Sequence, residues 1–245
     1  MIATDLKDVD IEALEAMGPE QLLRFAFESF PGRAAIGTSL QKTGIVTIDL
    51  ASRLGVPYRV FFIDTLLNHE ETYELLGKVE QRYGIDIERY RPTPESLAGL
   101  HEKFGDYAHY FGRELCCRVR KKLPLREALA TLDVWISGLR ADQSDFRRDN
   151  ARKAQLVADD EGRPILKLNC MLEWTDEMVD DYSRRETLPY NKLYDYVSPH
   201  GERYTVVGCR CCHVPVKESM DKRMGKFPWE HGKKECGLHD QGGGI

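Results

Sequence analysis

Apolar positions near the start of the chain recur at helical spacing: Ile11, Leu14 and Met17, then Leu22, Leu23, Phe25, Ala26 and Phe30. The pattern predicts an N-terminal helical cap over residues 1–33. From Ala34 the period changes. Ala34–Thr38 reads as a strand, Ser39–Gly44 as a polar loop and Ile45–Leu54 as an apolar helix, which together open a strand–helix–strand unit. Arg59–Asp64 is an apolar run ending in a carboxylate, His69–Tyr83 a helix and Ile85–Tyr90 a shorter strand. Val134–Leu139 is a further buried strand, preceded by a helix that starts near Cys116. Strands alternating with helices predict an α/β fold built on a parallel sheet with helices on both faces.

Polar and charged residues fill Arg140–Arg163, expected to form a mobile or substrate-covering loop, before Pro164–Leu168 resumes as strand and Thr175–Glu186 as helix. Tyr204–Gly208 reads as strand-like. Beyond Val214 the chain is polar, rich in Lys and Gly, and without period, so residues 215–245 are expected to be a flexible C-terminal tail after a core domain over residues 34–214. No internal repeat and no linker divides the chain into two independent domains.

Composition adds mainly exclusions. A net charge of −5 with 31% charged residues gives no polyelectrolyte signature, so nucleic acid is not an expected partner. No apolar run approaches the ~20 residues that cross a bilayer. Met1–Asp10 carries acidic residues where a signal peptide would be basic and then apolar, so the expectation is a cytoplasmic protein without a membrane partner.

Seven cysteines is an odd number, and most are clustered rather than spread as a disulfide framework would spread them, which favours metal or redox chemistry. Cys116-Cys117 and Cys209-x-x-Cys212 offer four thiolates in two pairs, enough for a tetrahedral zinc or an iron–sulfur cluster. Adjacent cysteines at a helix start diverge, which suits separate iron corners better than one ion. Structural zinc, and buried thiols that bind nothing, are the plainer alternatives. Cys236 sits in K-K-E-C-G-L-H, where the cations Lys233, Lys234 and His239 would lower its pKa from about 8.5. A flexible tail could carry that thiol into a cleft and out again, although a lone tail cysteine is more often incidental.

Four motifs make a pattern together: C-C-R-V-R-K (Cys116–Lys121), G-L-R-A-D-Q-S-D-F-R-R (Gly138–Arg148), G-C-R-C-C (Gly208–Cys212) and K-E-C-G-L-H (Lys234–His239). In this order, from about Ala34 to His239, the chain resembles the assimilatory sulfonucleotide reductases of the iron–sulfur branch. The resemblance implies an ATP-pyrophosphatase-like (adenine nucleotide alpha hydrolase-like) domain. It further implies a 4Fe-4S cluster on Cys116, Cys117, Cys209 and Cys212, and a mobile C-terminal nucleophile, Cys236. The implied reaction is thioredoxin-dependent reduction of adenosine 5′-phosphosulfate to sulfite and AMP through an S-sulfocysteine. Thioredoxin or glutaredoxin would be a separate partner, the cluster electrostatic and structural rather than redox-active, and a homo-oligomer is compatible with the family.

Carried over by position, Thr38 and Ser39 would bind phosphate, and Asp64 and Thr65, with Glu71 and Thr72, would form the segment that contacts adenosine. Lys121 would lie between cluster and substrate. Arg140, Gln143, Ser144 and Arg148 match the G-x-R-x-x-Q-S segment, with Arg148 expected on the phosphosulfate and Arg147 in solvent. Arg223, Lys226 and His239 would close over the substrate with the nucleophile. Plainer readings stand beside these: a surface lysine at 121, a turn at Ser39, a helix cap at Asp64.

Departures from the family pattern are Leu67 where a basic residue is usual, Lys226 where arginine is usual, a shortened aromatic stretch Phe227–Trp229, and Cys170 and Cys211 where proline is common. Spacing favours Cys212 over Cys211 as the ligand. The alternative substrate is the 3′-phosphorylated sulfonucleotide. A nucleotide-adenylating enzyme of the same fold would want an S-G-G-x-D-S loop that Thr38–Gly44 lacks, and a metal-stabilised binding module would leave E-C-G-L-H idle.

Overall fold

The structure, a computed structural model, describes residues 5–159 and 161–230. After a 3-10 turn at Leu6–Asp8, α1 (Ile11–Glu15) starts at an Asp10 side chain that accepts from the Ala13 N–H, and α2 (Pro19–Ser29) carries proline in its first turn. Leu14, Leu22, Leu23, Ala26 and Phe30 are buried, as the spacing predicts, and so is Phe27. The chain then builds β1 (Ala34–Thr38), α3 (Lys42–Ser52), β2 (Arg59–Ile63), α4 (Glu70–Tyr83) and β3 (Glu88–Tyr90). An excursion of three helices follows, α5 (Pro94–Phe104), α6 (Ala108–Phe111) and α7 (Arg113–Cys117). It runs through a π turn at Arg118–Lys122 into α8 (Leu123–Leu129). β4 (Val134–Ser137), α9 (Asp145–Asn150), β5 (Ala154–Ala158), β6 (Pro164–Leu168) and α10 (Asp176–Arg185) complete the regular elements.

Among the described residues the sheet has six strands in the order β3-β2-β1-β4-β6-β5. Alternation across the pleat sorts the core into two layers. Ile36, Val60, Phe62, Ile136, Leu166 and Leu168 meet α2, α3, α4 and α10 on one face, whereas Ala35, Phe61, Trp135 and Ile165 meet Leu125, Ala128 and Leu129 of α8 on the other. This is the expected α/β architecture with helices on both faces. No described helix is long and apolar enough to cross a membrane.

Three expectations need correction. The sheet is parallel except at its edge, where β5 runs antiparallel to β6, so Arg140–Arg163 is not one loop but a 3-10 turn, α9 and a hairpin strand. β5 (A-Q-L-V-A) is a short apolar run inside that charged stretch, and at this sheet edge only its Gln155 and Val157 face is partly covered, while Leu156 and Ala158 on the other face are exposed. Tyr204–Gly208 forms no strand, only flanking bridges of Arg203 to Val197 and Val216. The tail expected from 215 is packed as far as Glu230. Phe227 is 0% exposed among Cys209 and Cys212, its N–H donates to the Cys212 carbonyl at 2.9 Å, and the Arg113 guanidinium lies 4.9 Å over its ring. A few anchors in polar sequence suffice, and a periodicity search does not find isolated anchors.

Candidate functional site

From β1 the chain proceeds to β2 and β3 on one side of the sheet, while β4, β6 and β5 lie on the other. The connections at the carboxyl ends of β1 and β4 therefore diverge and leave a crevice. A cavity of about 1030 Å³ occupies it, lined by the ends of β1, β2 and β4, the first turn of α3, α9 and residues 203–226.

Thr38 and Ser39, predicted as phosphate contacts, lie on its wall. The Thr38 hydroxyl accepts from the Leu40 N–H at 3.0 Å, folding the chain sharply through Leu40 (φ 56) into α3. The first turn of α3, Lys42–Gly44, lines the cavity, and no described side chain caps it, which leaves its N–H groups and dipole at the cavity wall. Gly44 permits this closeness: a Cβ there would sit 2.4 Å from the Thr38 hydroxyl.

Arg140 also lines the cavity, but its guanidinium is occupied. It donates to the Thr43 hydroxyl at 2.6 Å and to Asp142 at 3.0 Å, and it pairs with Asp176, which the Lys222 ammonium reaches at 2.5 Å. Burial works to raise the Asp176 carboxyl, yet Lys222 and Arg140 together hold it below the usual range. Arg140 is thus a brace joining the β4 loop to α3 and α10. Gln143 accepts from the Arg140 N–H at 3.2 Å and from the Arg147 guanidinium, and the Ser144 hydroxyl caps α9 through the Arg147 N–H. Both arginines of the pair line the cavity: Arg147, expected in solvent, is 8% exposed, while the Arg148 side chain, expected on the phosphosulfate, is 61% exposed and bonded to Asp145 at 2.7 Å.

Asp64 is corrected as well, since it does not line the cavity. It is buried and accepts from the Leu66 N–H at 3.1 Å, the Tyr73 hydroxyl at 2.6 Å and Arg91 at 2.9 Å. Burial raises this carboxyl, but Tyr73 and Arg91 outweigh it, and Tyr73 is pushed up to about 12 by burial and the Asp64 bond. Asp64 thereby shapes the turn after β2. Its neighbour Thr65 does reach the site: its hydroxyl lies 3.4 Å from the Cys209 sulfur, and its carbonyl accepts from Arg120 at 2.8 Å.

The thiols gather at this end of the cavity. Cys116, Cys117, Cys209 and Cys212 are buried, and Cys209 lines the cavity with Lys121. Burial raises the Cys116 thiol, Arg120 lowers it, and Cys209 and Cys211 raise it further; the two cysteine segments are therefore electrostatic neighbours. Cys211 lies 3.6 Å from Cys212 and is pulled down to about 6 by that thiol, whereas Cys212 is pushed up by Cys211 and by burial. The six described cysteines form no disulfide with one another. No three His, Cys, Asp or Glu side chains among the described residues converge on a single-ion shell. Four soft sulfur donors from two segments, with Lys121 and Arg120 beside them, fit an iron–sulfur cluster by donor chemistry. Cys170 stands apart in the core, its thiol pushed up to about 12 by burial.

Arg223 and Lys226 are buried along the cavity. Cys236 and His239 lie outside the described residues. Sequence reasoning missed His213, which lines the cavity against Gly208; a Cβ at Gly208 would meet its ring at 2.3 Å. Its Nε2 has no partner among the described residues, and burial pushes its pKa well below the usual value. It missed Tyr194 too, whose ring carries the Lys42 ammonium at 5.2 Å. Neither stands in a recognisable motif.

The sequence pattern of the phosphoadenosine phosphosulfate reductase domain matches residues 33–215. A protein of Halalkalibacterium halodurans named adenosine 5′-phosphosulfate reductase is 35% identical over 242 residues, covering 97% of this chain and 98% of that one. One of Allochromatium vinosum with the same name is 36% identical over 206 residues, 82% of this chain and 77% of the other. The crystal structure of phosphoadenylyl-sulfate reductase from Candida auris, a phosphate complex, matches with a TM-score of 0.70 at 26% identity, over 86% of this chain and 100% of that one. The FMN adenylyltransferase of Candida glabrata is similar in fold alone, with a TM-score of 0.53 at 13% identity over 82% and 62% of the two chains.

Proposed function

The chain belongs to the phosphoadenosine phosphosulfate reductase family, and from that premise we propose that it reduces adenosine 5′-phosphosulfate to sulfite and AMP, with Cys236 as nucleophile and thioredoxin as thiol donor. The observation that carries the reading is one continuous cavity joining the Thr38–Gly44 turn to Cys209, with Lys121, Arg147, Arg223 and Lys226 along its wall. The first-turn N–H groups of α3 suit the phosphate end of the substrate. The cations suit the sulfate and the negative charge that builds on the departing phosphate oxygen.

The Cys236 thiolate forms a sulfur–sulfur bond as the sulfur–oxygen bond to phosphate breaks, leaving AMP and an S-sulfocysteine. A donor thiolate then attacks the Cys236 sulfur, sulfite departs with the bonding pair, and the donor's second thiol resolves the mixed disulfide. Cys116, Cys117, Cys209 and Cys212 would hold a 4Fe-4S cluster, which when bound would supply fixed charge and a structural anchor beside Lys121.

The cavity edge at α10 supports the nucleotide lacking a 3′-phosphate. There Lys42 pairs with Asp180, Arg140 with Asp142 and Asp176, and Lys222 with Asp176, so each of these three cations is already engaged by a carboxylate. Six described cysteines with no disulfide among them fit a reducing compartment such as the cytoplasm.

Holoprotein mixed with substrate and no donor should stop after one turnover with a sulfonate mass on the peptide containing Cys236, discharged as sulfite by reduced thioredoxin. Cys236→Ser should bind AMP and release no sulfite. Normal turnover by that variant, or a sulfonate on Cys211, would remove Cys236 from the mechanism. Steady-state rates on both sulfonucleotides decide the substrate.

A further inference from the structure

Lys167, the fourth of the five residues of β6, has no part in this mechanism and no ordinary structural excuse. It is fully buried, and its Nζ has neither a hydrogen-bond acceptor nor a carboxylate partner among the described residues. The sheet fixes its neighbours. Trp135 of β4 and Gln155 of β5 are its register partners on either side. Its ammonium lies 4.7 Å from the centroid of the Trp135 ring. Gln155 carries a further buried donor, its Nε2, that has no acceptor among the described residues. The charged group that bears on Lys167 is a second cation, Arg147 of α9. Trp135 and Arg147 both line the cavity, whereas Lys167 stands behind them.

A buried ammonium without a counter-ion is unfavourable, and an aromatic face offsets only part of that. The missing negative charge is what an anion in the cavity would bring. We propose that Lys167 is a positioning residue for the anionic nucleotide: from behind Trp135 and Arg147 it supplies buried positive charge, and it takes up a proton when the anion binds. This rests on the cavity being the nucleotide site.

Burial, and then the charge of Arg147, push the Lys167 pKa down to about 8, so the free protein loses this charge in mildly alkaline solution. A bound anion favours the charged form and raises the pKa. By linkage, a rise of roughly one unit on binding weakens affinity about tenfold between pH 7 and pH 10.

The test is calorimetric titration of the holoprotein with AMP, and with adenosine as uncharged control, at pH 8 and 9 in buffers of different ionisation enthalpy. AMP binding should take up a fraction of a proton and adenosine binding none. The AMP Kd should rise about tenfold from pH 7 to pH 10 in the wild type and much less in Lys167→Met, which keeps the shape without the charge. AMP binding without proton uptake, equal uptake with adenosine, or unchanged uptake in Lys167→Met overturns the proposal and leaves the nucleotide site standing. If the variant fails to fold, the wild-type comparison of AMP with adenosine decides alone. If neither ligand binds at any pH, the nucleotide reading falls and the proposal falls with it.

Discussion

Arg147 and Arg148 are consecutive on a helix and so point about 100° apart, and that rotation separates their roles. Arg147 is buried on the cavity wall beside Gln143, and Arg148, on the same wall but largely exposed, leans over Asp145. Adjacency was visible in the sequence, but the helix phase was not, because α9 has only six residues and little apolar pattern. Arg147→Ala should therefore lower kcat/KM by the equivalent of about 1.5–3 kcal/mol, as for loss of a charge-assisted contact. Arg148→Ala should change it by no more than about 0.5 kcal/mol, as for an exposed ion pair. Equal losses would return both arginines to one role. The thiols divide in the same way. Serine at 116, 117, 209 or 212 should lose the roughly four iron and four sulfide per chain expected of anaerobically purified protein. Cys170→Ala and Cys211→Ser should keep them, since Cys170 packs in the core away from the other thiols. Colourless wild-type protein with stoichiometric zinc would refute the cluster.

Among elements, the β1–α3 turn and the π turn do most to shape the site. The residue pattern placed β1 at its observed ends and put the loop at Ser39, because an apolar strand followed by polar residues is a local signal. It started α3 at Ile45 rather than Lys42, because the first helical turn is polar where it faces the cavity. Gly44 is the sensitive point of this junction. Gly44→Ala forces a methyl group against the Thr38 hydroxyl, so AMP affinity should fall by the equivalent of about 1–3 kcal/mol. An unchanged Kd by calorimetry would show that the turn gives way freely. The π turn at Arg118–Lys122 follows directly on Cys116-Cys117, and it carries both Lys121 on the cavity wall and Arg120, which bonds the Thr65 carbonyl. Such one-turn bulges recur at functional sites, but no residue preference announces one.

At the scale of the whole molecule, the cation buried behind the cavity should appear in stability as well as in binding. The Lys167 pKa is about 8 in the folded chain against 10.5 for an ordinary lysine, so between those values the unfolded chain binds more protons and this group adds stability as pH rises. Below pH 8 its cost is fully present, about 3 kcal/mol from the pKa difference, less the Trp135 contact. Lys167→Met should therefore raise Tm at pH 7, and the gain over wild type should shrink between pH 8 and 10.5. A gain independent of pH would mean that Lys167 is already neutral. The sequence by itself determined the α/β alternation, the helical cap, the two cysteine pairs and the motif order that marks the family, because each is written in local spacing or in residue type. Tertiary structure alone decided that Arg140 and Asp64 are braces, that Arg147 is the buried and Arg148 the exposed arginine of the pair, that residues 215–230 pack through Phe227, and that Lys167 lies behind Trp135 and Arg147. Each of those depends on which distant segment supplies the partner, and neither period nor composition encodes partners across the chain.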